Sequence, residues 1–296
     1  MTIRSGSSGT PPDRVVASVV DRRATIVDVI GGAKRSIALS LFRCNDPAIF
    51  AALAEATARG VKVDVLMTSR AKGAVSKLTK LWARLEKAGA AVHAYADPVV
   101  KYHAKYLVAD DGPAVVASFN LTRKCFEKTF DAVVVTYDPA VVAGLKTLMA
   151  ADCEGTPMPA SVSPRLIVGP ERARKQFTSL IESAKTSIRL VDPKLSDPDL
   201  VTLLNAKRDA GLTVDVFASK RIGSLKSHGK VLLVDDRVAV VGGLAIAAIS
   251  LDFRREVAVI VEEPAAVAAV VDLFRTIDAV PTQGALRAPD ETGLTL

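Results

Sequence analysis

A chain of 296 residues with 49% hydrophobic and 24% charged content can bury one large core or two moderate ones, which excludes a largely disordered or fibrous protein. The longest uncharged apolar stretch, residues 238–251, has 14 residues where a membrane-spanning helix needs about 20, so it reads as buried strand and loop. The formal charge of +7 favours an anionic partner and does not choose among nucleic acid, a phospholipid surface and a phosphorylated metabolite.

In chain order, residues 1–14 form a Ser/Gly/Thr/Pro-rich tail without the apolar core of a signal peptide. A helix-period segment then leads to a short strand at 36–39, a helix at 47–59 and a second strand at 60–65. The segment 68–93 carries Arg70, Lys72, Lys77, Lys80, Arg84 and Lys87 against Glu86 alone. Within it Leu78, Leu81, Trp82 and Leu85 follow the i, i+3, i+4, i+7 spacing of an amphipathic helix. Its basic face is either a lip that gathers anionic substrate or an ordinary solvated surface. His93 sits in an apolar strand-like run with no motif partner and reads as structural. Residues 154–164, with three prolines, mark a linker, and residues 281–296, without an apolar period, form a second tail.

The chain is internally duplicated. Ser36-Ile37-Ala38-Leu39 matches Ser187-Ile188-Arg189-Leu190, and Asp46-Pro47 matches Asp197-Pro198, both at an offset of 151 residues. Further on, His103 matches His228, Asp110 matches Asp235 and Asp131 matches Glu256, all at an offset of 125, so the first half carries 26 extra residues before its motif. Helices alternating with Val/Ile/Leu-rich strands predict an α/β fold: a duplicated α/β/α sandwich with halves at 15–153 and 165–280, each holding a mixed, mostly parallel sheet. If the halves pack about a pseudo-two-fold axis, their motifs meet in one shared active site.

The repeated motif is HxKxxxxD, at His103-Lys105-Asp110 and His228-Lys230-Asp235, and it holds two of the three histidines in the chain. A strand would point His and Lys to one face, where the pair can attack and hold a phosphate. Two facing imidazoles also supply both a nucleophile and a proton donor for the leaving group. Asp110 and Asp235 have the opposite parity and fall at turns, so they read as braces of the motif and not as substrate contacts. Cys44, Cys125 and Cys153 share no metal-ligand or CxxC spacing, which predicts reduced thiols, a cytoplasmic setting and no metal site.

With two such motifs in duplicated context, the sequence resembles the phospholipase D superfamily, in the flavour of its bacterial phosphatidylserine, phosphatidylglycerophosphate and cardiolipin synthases. The resemblance implies that one histidine attacks the phosphodiester to give a phosphohistidine and the other protonates the leaving alcohol, with no cofactor or metal. It implies that Lys105 and Lys230 neutralise the phosphate oxygens. Asp131 and Glu256, each 28 residues after a motif histidine, would hold the ring nitrogens that face away from the phosphate. Ser118 and Asn120 stand where the family carries phosphate-binding residues, whereas the second half has Gly243 and Ala245 there. That inequality assigns attack to His103 and acid catalysis to His228, unless a backbone nest at Gly242 and Gly243 does the same work. The expected substrate is a phospholipid, handled by a monomer with peripheral contact to an anionic membrane. The alternatives are a nuclease acting on DNA or RNA and a degenerate module that only binds phosphodiesters.

Overall fold

The computed structural model describes residues 13–68, 70, 75–95 and 97–278. The expected tails and Lys72 lie outside the described residues, except that Asp13 and Arg14, placed in the N-terminal tail by sequence, open a strand at Asp13–Val16.

Each half is built on one sheet. The first has seven strands in the order Asp13–Val16, Val133–Thr136, Ala114–Ala117, Tyr106–Ala109, Ser36–Leu41, Lys62–Thr68 and Ala91–Tyr95. The second has six, in the order Leu166–Val168, Val257–Val261, Val238–Gly242, Lys230–Val234, Ser187–Val191 and Thr213–Phe217. The sheets are mixed, but they are mostly antiparallel and not mostly parallel as expected. Only Ser36–Leu41, Lys62–Thr68 and Ala91–Tyr95 in the first, and Ser187–Val191 with Thr213–Phe217 in the second, run parallel to a neighbour. The physical reason is connection length. Those strands are joined through the helices Pro47–Ala58, Val75–Lys87 and Pro198–Asp209, whereas each motif strand is joined to the next by a tight turn that only antiparallel neighbours can use.

Local sequence explains where the helices begin. Asp46 and Asp197 accept hydrogen bonds from the backbone N–H groups of Ala48 and Leu200, and a proline follows each at the first helical position. The extra residues of the first half form the helix Val75–Lys87 and the edge strand Ala91–Tyr95. Leu81 and Leu85 are buried with Leu78 and Trp82 packed beside them, while Lys77 and Lys80 stay exposed. His93 bonds Asp64 on the neighbouring strand at 2.9 Å. Residues 238–251 depart from the expected strand and loop: after the strand Val238–Gly242 and a loop, Ala248–Phe253 is a short helix. No helix among the described residues is long and apolar enough to cross a membrane.

Three apolar cores result. One lies under the outer helices of each sheet, and a central one joins the inner faces of both sheets to the helices Pro139–Glu154 and Pro264–Asp278. The halves are also knitted by short crossed strands. Lys101–Tyr102 pairs in parallel with Arg254–Arg255, and Leu225–Ser227 pairs in parallel with Thr129–Phe130.

The motif aspartates sit at the sheet ends away from the histidines. The Asp110 carboxylate accepts from the N–H groups of Lys34, Arg35 and Ser36 at 2.7–2.9 Å, and Asp235 accepts from Lys185, Thr186 and Ser187. Both residues adopt positive φ, 50° and 53°, which Asp tolerates better than most side chains. Each carboxylate thus ties the turn after its motif strand to the start of the adjacent strand. Asp235→Ala is expected to cost about 2 kcal/mol of stability, read as a lower midpoint in urea denaturation, with no change in turnover per folded molecule.

Candidate active site

His103 and His228 each follow a crossed strand directly. Among the parallel ladders Tyr102 pairs with Arg255 and Ser227 pairs with Phe130, the residues immediately before Glu256 and Asp131. The backbone continues the pattern, since His103 N–H donates to Arg255 O at 2.9 Å and Gly229 N–H donates to Phe130 O at 2.7 Å. This corrects the expectation of a histidine inside a continuous strand. His103 and His228 occupy the extended gap between two strands, which frees their side chains from a sheet face.

The crossing decides which acid serves which ring. Nδ1 of His228 lies 2.9 Å from Oδ1 of Asp131, and Nδ1 of His103 is bonded to Oε1 of Glu256. Each histidine is therefore oriented by the carboxylate of the opposite half, and both carboxylates are buried. Lys105 Nζ lies 3.0 Å from His103 Nδ1, and Lys230 Nζ donates to His228 O at 2.6 Å. In the first motif the lysine thus reaches its histidine's ring, whereas in the second Lys230, the first residue of a strand, reaches its histidine's backbone carbonyl. The two histidines, two lysines and two acids come together in one place inside a single chain.

Buried carboxylates need partners, and the two halves supply them differently. Asp131 accepts from Ser118 Oγ at 2.8 Å and Thr129 Oγ1 at 2.5 Å. Ser118 Oγ in turn accepts from Ala132 N–H at 3.0 Å. In the second half Ser250 Oγ bonds Oε2 of Glu256 and accepts from Ala245 N–H at 3.0 Å. Two expectations change here. Ser118 is buried and committed to Asp131 and Ala132, so it is not placed to bind phosphate. The serine thought missing from the second half is Ser250, seven residues beyond Gly243 in sequence but bonded at the same point. Its different spacing hides it in the sequence, although a serine six residues before the acid at the matched position is a usable signal.

Gly242 and Gly243 do not form a nest. The N–H of Gly243 is spent on Val257 O at 2.9 Å, and Gly242 is a strand residue where an added Cβ would lie 2.3 Å from Ala258 Cα. Glycine is required there for close strand packing, not for anion binding. Asn120 fares better: it lines a crevice with Phe42 and Lys105, and its Oδ1 is buried without a protein partner.

The electrostatics centre on cations. Burial, then Lys105, Arg254, Lys230 and Lys194, hold His103 well below the usual histidine range. Burial pushes Lys105 down to about 7, opposed by Glu256 and reinforced by Lys230, Arg254 and Lys194. Burial likewise pushes Glu256 up to about 7 against the pull of the same cations. Arg254 and Lys194 were not singled out from sequence. Phe42 meets the His103 ring edge-on at 4.5 Å between centroids and limits its tilt. Arg22, fully buried, donates to the carbonyls of Phe126, Thr129 and Asp131 and so fixes the segment that carries Asp131. Among the described residues no group of three His, Cys, Asp or Glu is arranged to hold a metal ion.

Residues 26–153 match the family described as "Cardiolipin synthase, PLD-like domain". Cardiolipin synthase 1 of Bacillus anthracis is 28% identical over 127 residues, which cover 42% of this chain and 25% of that protein. The chain thus spans about a quarter of the length of that curated relative. Among solved structures, polyphosphate kinase from Porphyromonas gingivalis superposes with a TM-score of 0.74 at 19% identity, over 90% of this chain and 47% of that one. Phosphatidylserine synthase from Haemophilus influenzae gives 0.67 at 12% identity, over 90% of this chain and 86% of that one. The chain is thus similar to the phospholipase D-like cardiolipin synthase family over residues 26–153, and over 90% of its length it shares the fold of these two solved structures.

The crossed wiring makes a direct prediction. Ser250→Ala is expected to move the imidazole resonances of His103 and leave those of His228 in place, and Ser118→Ala to do the reverse, as read by NMR at a single pH.

Proposed function

We propose that this protein is a phosphodiesterase of the phospholipase D type that hydrolyses or transphosphatidylates phospholipid phosphodiesters through a phosphohistidine. The observation that carries the reading is the pair of histidines, each held at Nδ1 by a buried acid, which leaves both Nε2 atoms for the substrate. In the first step Nε2 of His103 forms a bond to phosphorus as the bond to the leaving oxygen breaks, and Nε2–H of His228 gives that oxygen its proton. In the second step His228 takes a proton from water or an acceptor alcohol, whose oxygen displaces His103. Lys105, Lys230 and Asn120 contact the phosphate oxygens, with Lys105 and Lys230 stabilising the charge that develops there.

Assignment of attack to His103 is supported by its surroundings. A nucleophilic imidazole must be neutral, and burial among four cations keeps His103 neutral further into the acid range than an ordinary histidine. The serines do not distinguish the halves, since Ser250 bonds Glu256 as Ser118 bonds Asp131. Asn120, with Ala245 at the matching position, still distinguishes the halves.

Lipid is favoured as substrate class by the synthase-like family match and by apolar side chains exposed beside the site. Nucleic acid is the second reading, favoured by the charge of +7 and the exposed Lys77 and Lys80. Incubating the protein in EDTA with phosphatidylglycerol, phosphatidylcholine, and single- and double-stranded DNA, then resolving the products, tests both. Headgroup release or exchange is expected. DNA cleavage with no phospholipid turnover would replace the lipid reading, and activity restored only by added metal would overturn the chemistry.

His103→Ala is expected to lower turnover by on the order of 10³-fold or more and to abolish trapping of a phosphoenzyme. His228→Ala should still form it from a p-nitrophenyl diester, whose leaving group needs no proton. A phosphoryl group trapped on His228 in the unaltered protein would reverse the roles.

As pH rises through about 7, Lys105 loses its charge and Glu256 gains one, so the site becomes less cationic. The kcat/KM for an anionic diester should therefore fall on the alkaline side near pH 7, with the limb belonging to the coupled pair. In Lys105→Arg, which keeps its charge, the remaining activity should show that limb at higher pH.

A further inference from the structure

The helix Ala248–Phe253 has two faces with different tasks. Its inner face carries Ser250, bonded to Glu256, and buried Leu251. Its outer face carries Ile249 and Phe253, four residues apart and so side by side, with 48% and 54% of their surfaces exposed. Large apolar side chains in solvent on the element that braces a catalytic acid are a poor bargain for a protein acting on small soluble substrates.

The neighbouring segment repeats the pattern. Arg254, directly after Phe253, pairs with Lys101, and Val99 two residues before Lys101 is 70% exposed. This loop is not a loose one. Asp97 accepts from the N–H groups of Val99 and Val100 at 2.8 and 2.7 Å, and the Arg70 guanidinium donates to the carbonyls of Pro98 and Val100. The structure thus holds an apolar side chain outward.

Charge around these residues is one-sided. Lys101 and Lys194 are exposed and Arg254 is half-buried. The acidic groups of the two segments are turned to other uses: Asp252 pairs with Arg174 and Asp97 caps its own loop. Arg254 and Lys194 also act on His103, Lys105 and Glu256, which places this rim at the mouth of the catalytic centre.

We propose that Val99, Ile249 and Phe253, flanked by Lys101, Arg254 and Lys194, form a membrane-contacting rim that seats the active site on an anionic phospholipid surface. The proposal rests on the lipid reading above and adds the surface on which the enzyme works. Apolar side chains enter the headgroup boundary while cations meet lipid phosphates, the combination that binds interfacial elements to anionic bilayers. Because Ser250 lies on the same helix, seating also steadies the acid that orients His103.

The test compares the unaltered protein with Ile249→Ser/Phe253→Ser and, separately, Val99→Ser. Three quantities are measured: sedimentation with phosphatidylglycerol/phosphatidylcholine vesicles, turnover of phosphatidylglycerol in those vesicles, and turnover of soluble bis-p-nitrophenyl phosphate. The double variant should bind vesicles at least tenfold more weakly and lose vesicle turnover in proportion, with the soluble diester changed by less than twofold. Val99→Ser should show a smaller loss in the same direction. Equal vesicle binding by the double variant and the unaltered protein would overturn the rim, as would failure of the unaltered protein to bind such vesicles. An equal collapse of soluble-diester turnover in the double variant would also overturn it, by making the outer face structural. Vesicle binding that depends on Phe253 without any phospholipid turnover would instead remove the lipid-substrate reading and leave the membrane contact in place.

Discussion

The whole cluster of histidines, lysines and acids depends on two crossed strand pairs of two residues each. Tyr102 beside Arg255 and Ser227 beside Phe130 fix the backbone of one half against the other immediately before a histidine and immediately before an acid. Hydrogen bonds of this kind are individually modest, about 1 kcal/mol net, and short strand pairs do not survive alone in water. They persist here because the central core beneath them joins the two sheets into one body. Orientation of the imidazoles is thus delegated to the packing of the whole molecule.

Desolvation is the second organising force. Two carboxylates and two lysines are buried in one region, which would be prohibitive for isolated ions. The fold compensates with hydroxyls: Ser118 and Thr129 for Asp131, and Ser250 for Glu256. What remains uncompensated is an excess of positive charge, from Lys105, Lys230, Arg254 and Lys194, in a place where a phosphodiester would supply the counter-charge. Burial and the same cations also hold His103 well below the usual histidine range, so the field that would attract an anion disfavours protonation of that ring.

Much of this is legible in the amino-acid sequence. The repeat offsets located the halves and the insertion, because duplicated strands keep their Val/Ile pattern and duplicated helices keep their Asp-Pro starts. The motif residues were legible since a histidine and a lysine two apart in an apolar run have few structural reasons to recur. Strand direction is not legible in the sequence, because parallel and antiparallel strands share one alternation of side chains. The destination of each acid was not legible either: a two-residue crossed pairing has no hydrophobic signature, and Asp131 stands at the same distance from its own histidine as Glu256 does. Ser250 escaped notice because its hydroxyl reaches the equivalent point from a helix, while Ser118 reaches it from the end of a strand. Three-dimensional equivalence had outlived positional equivalence.

The exchange of acids between halves carries a consequence for how such a chain can change. In a symmetric pair of separate one-motif chains, every substitution falls on both half-sites at once, and a serine could not be moved on one side alone. Covalent fusion removes that restriction while leaving each histidine reliant on the other half, so the two copies can drift apart in detail but never in function. This chain carries the marks of that freedom in the Asp131/Glu256, Ser118/Ser250, Thr129/Arg254 and Asn120/Ala245 pairs. Neither half holds its own histidine with its own acid, so the two repeats stand as complements and not as interchangeable copies.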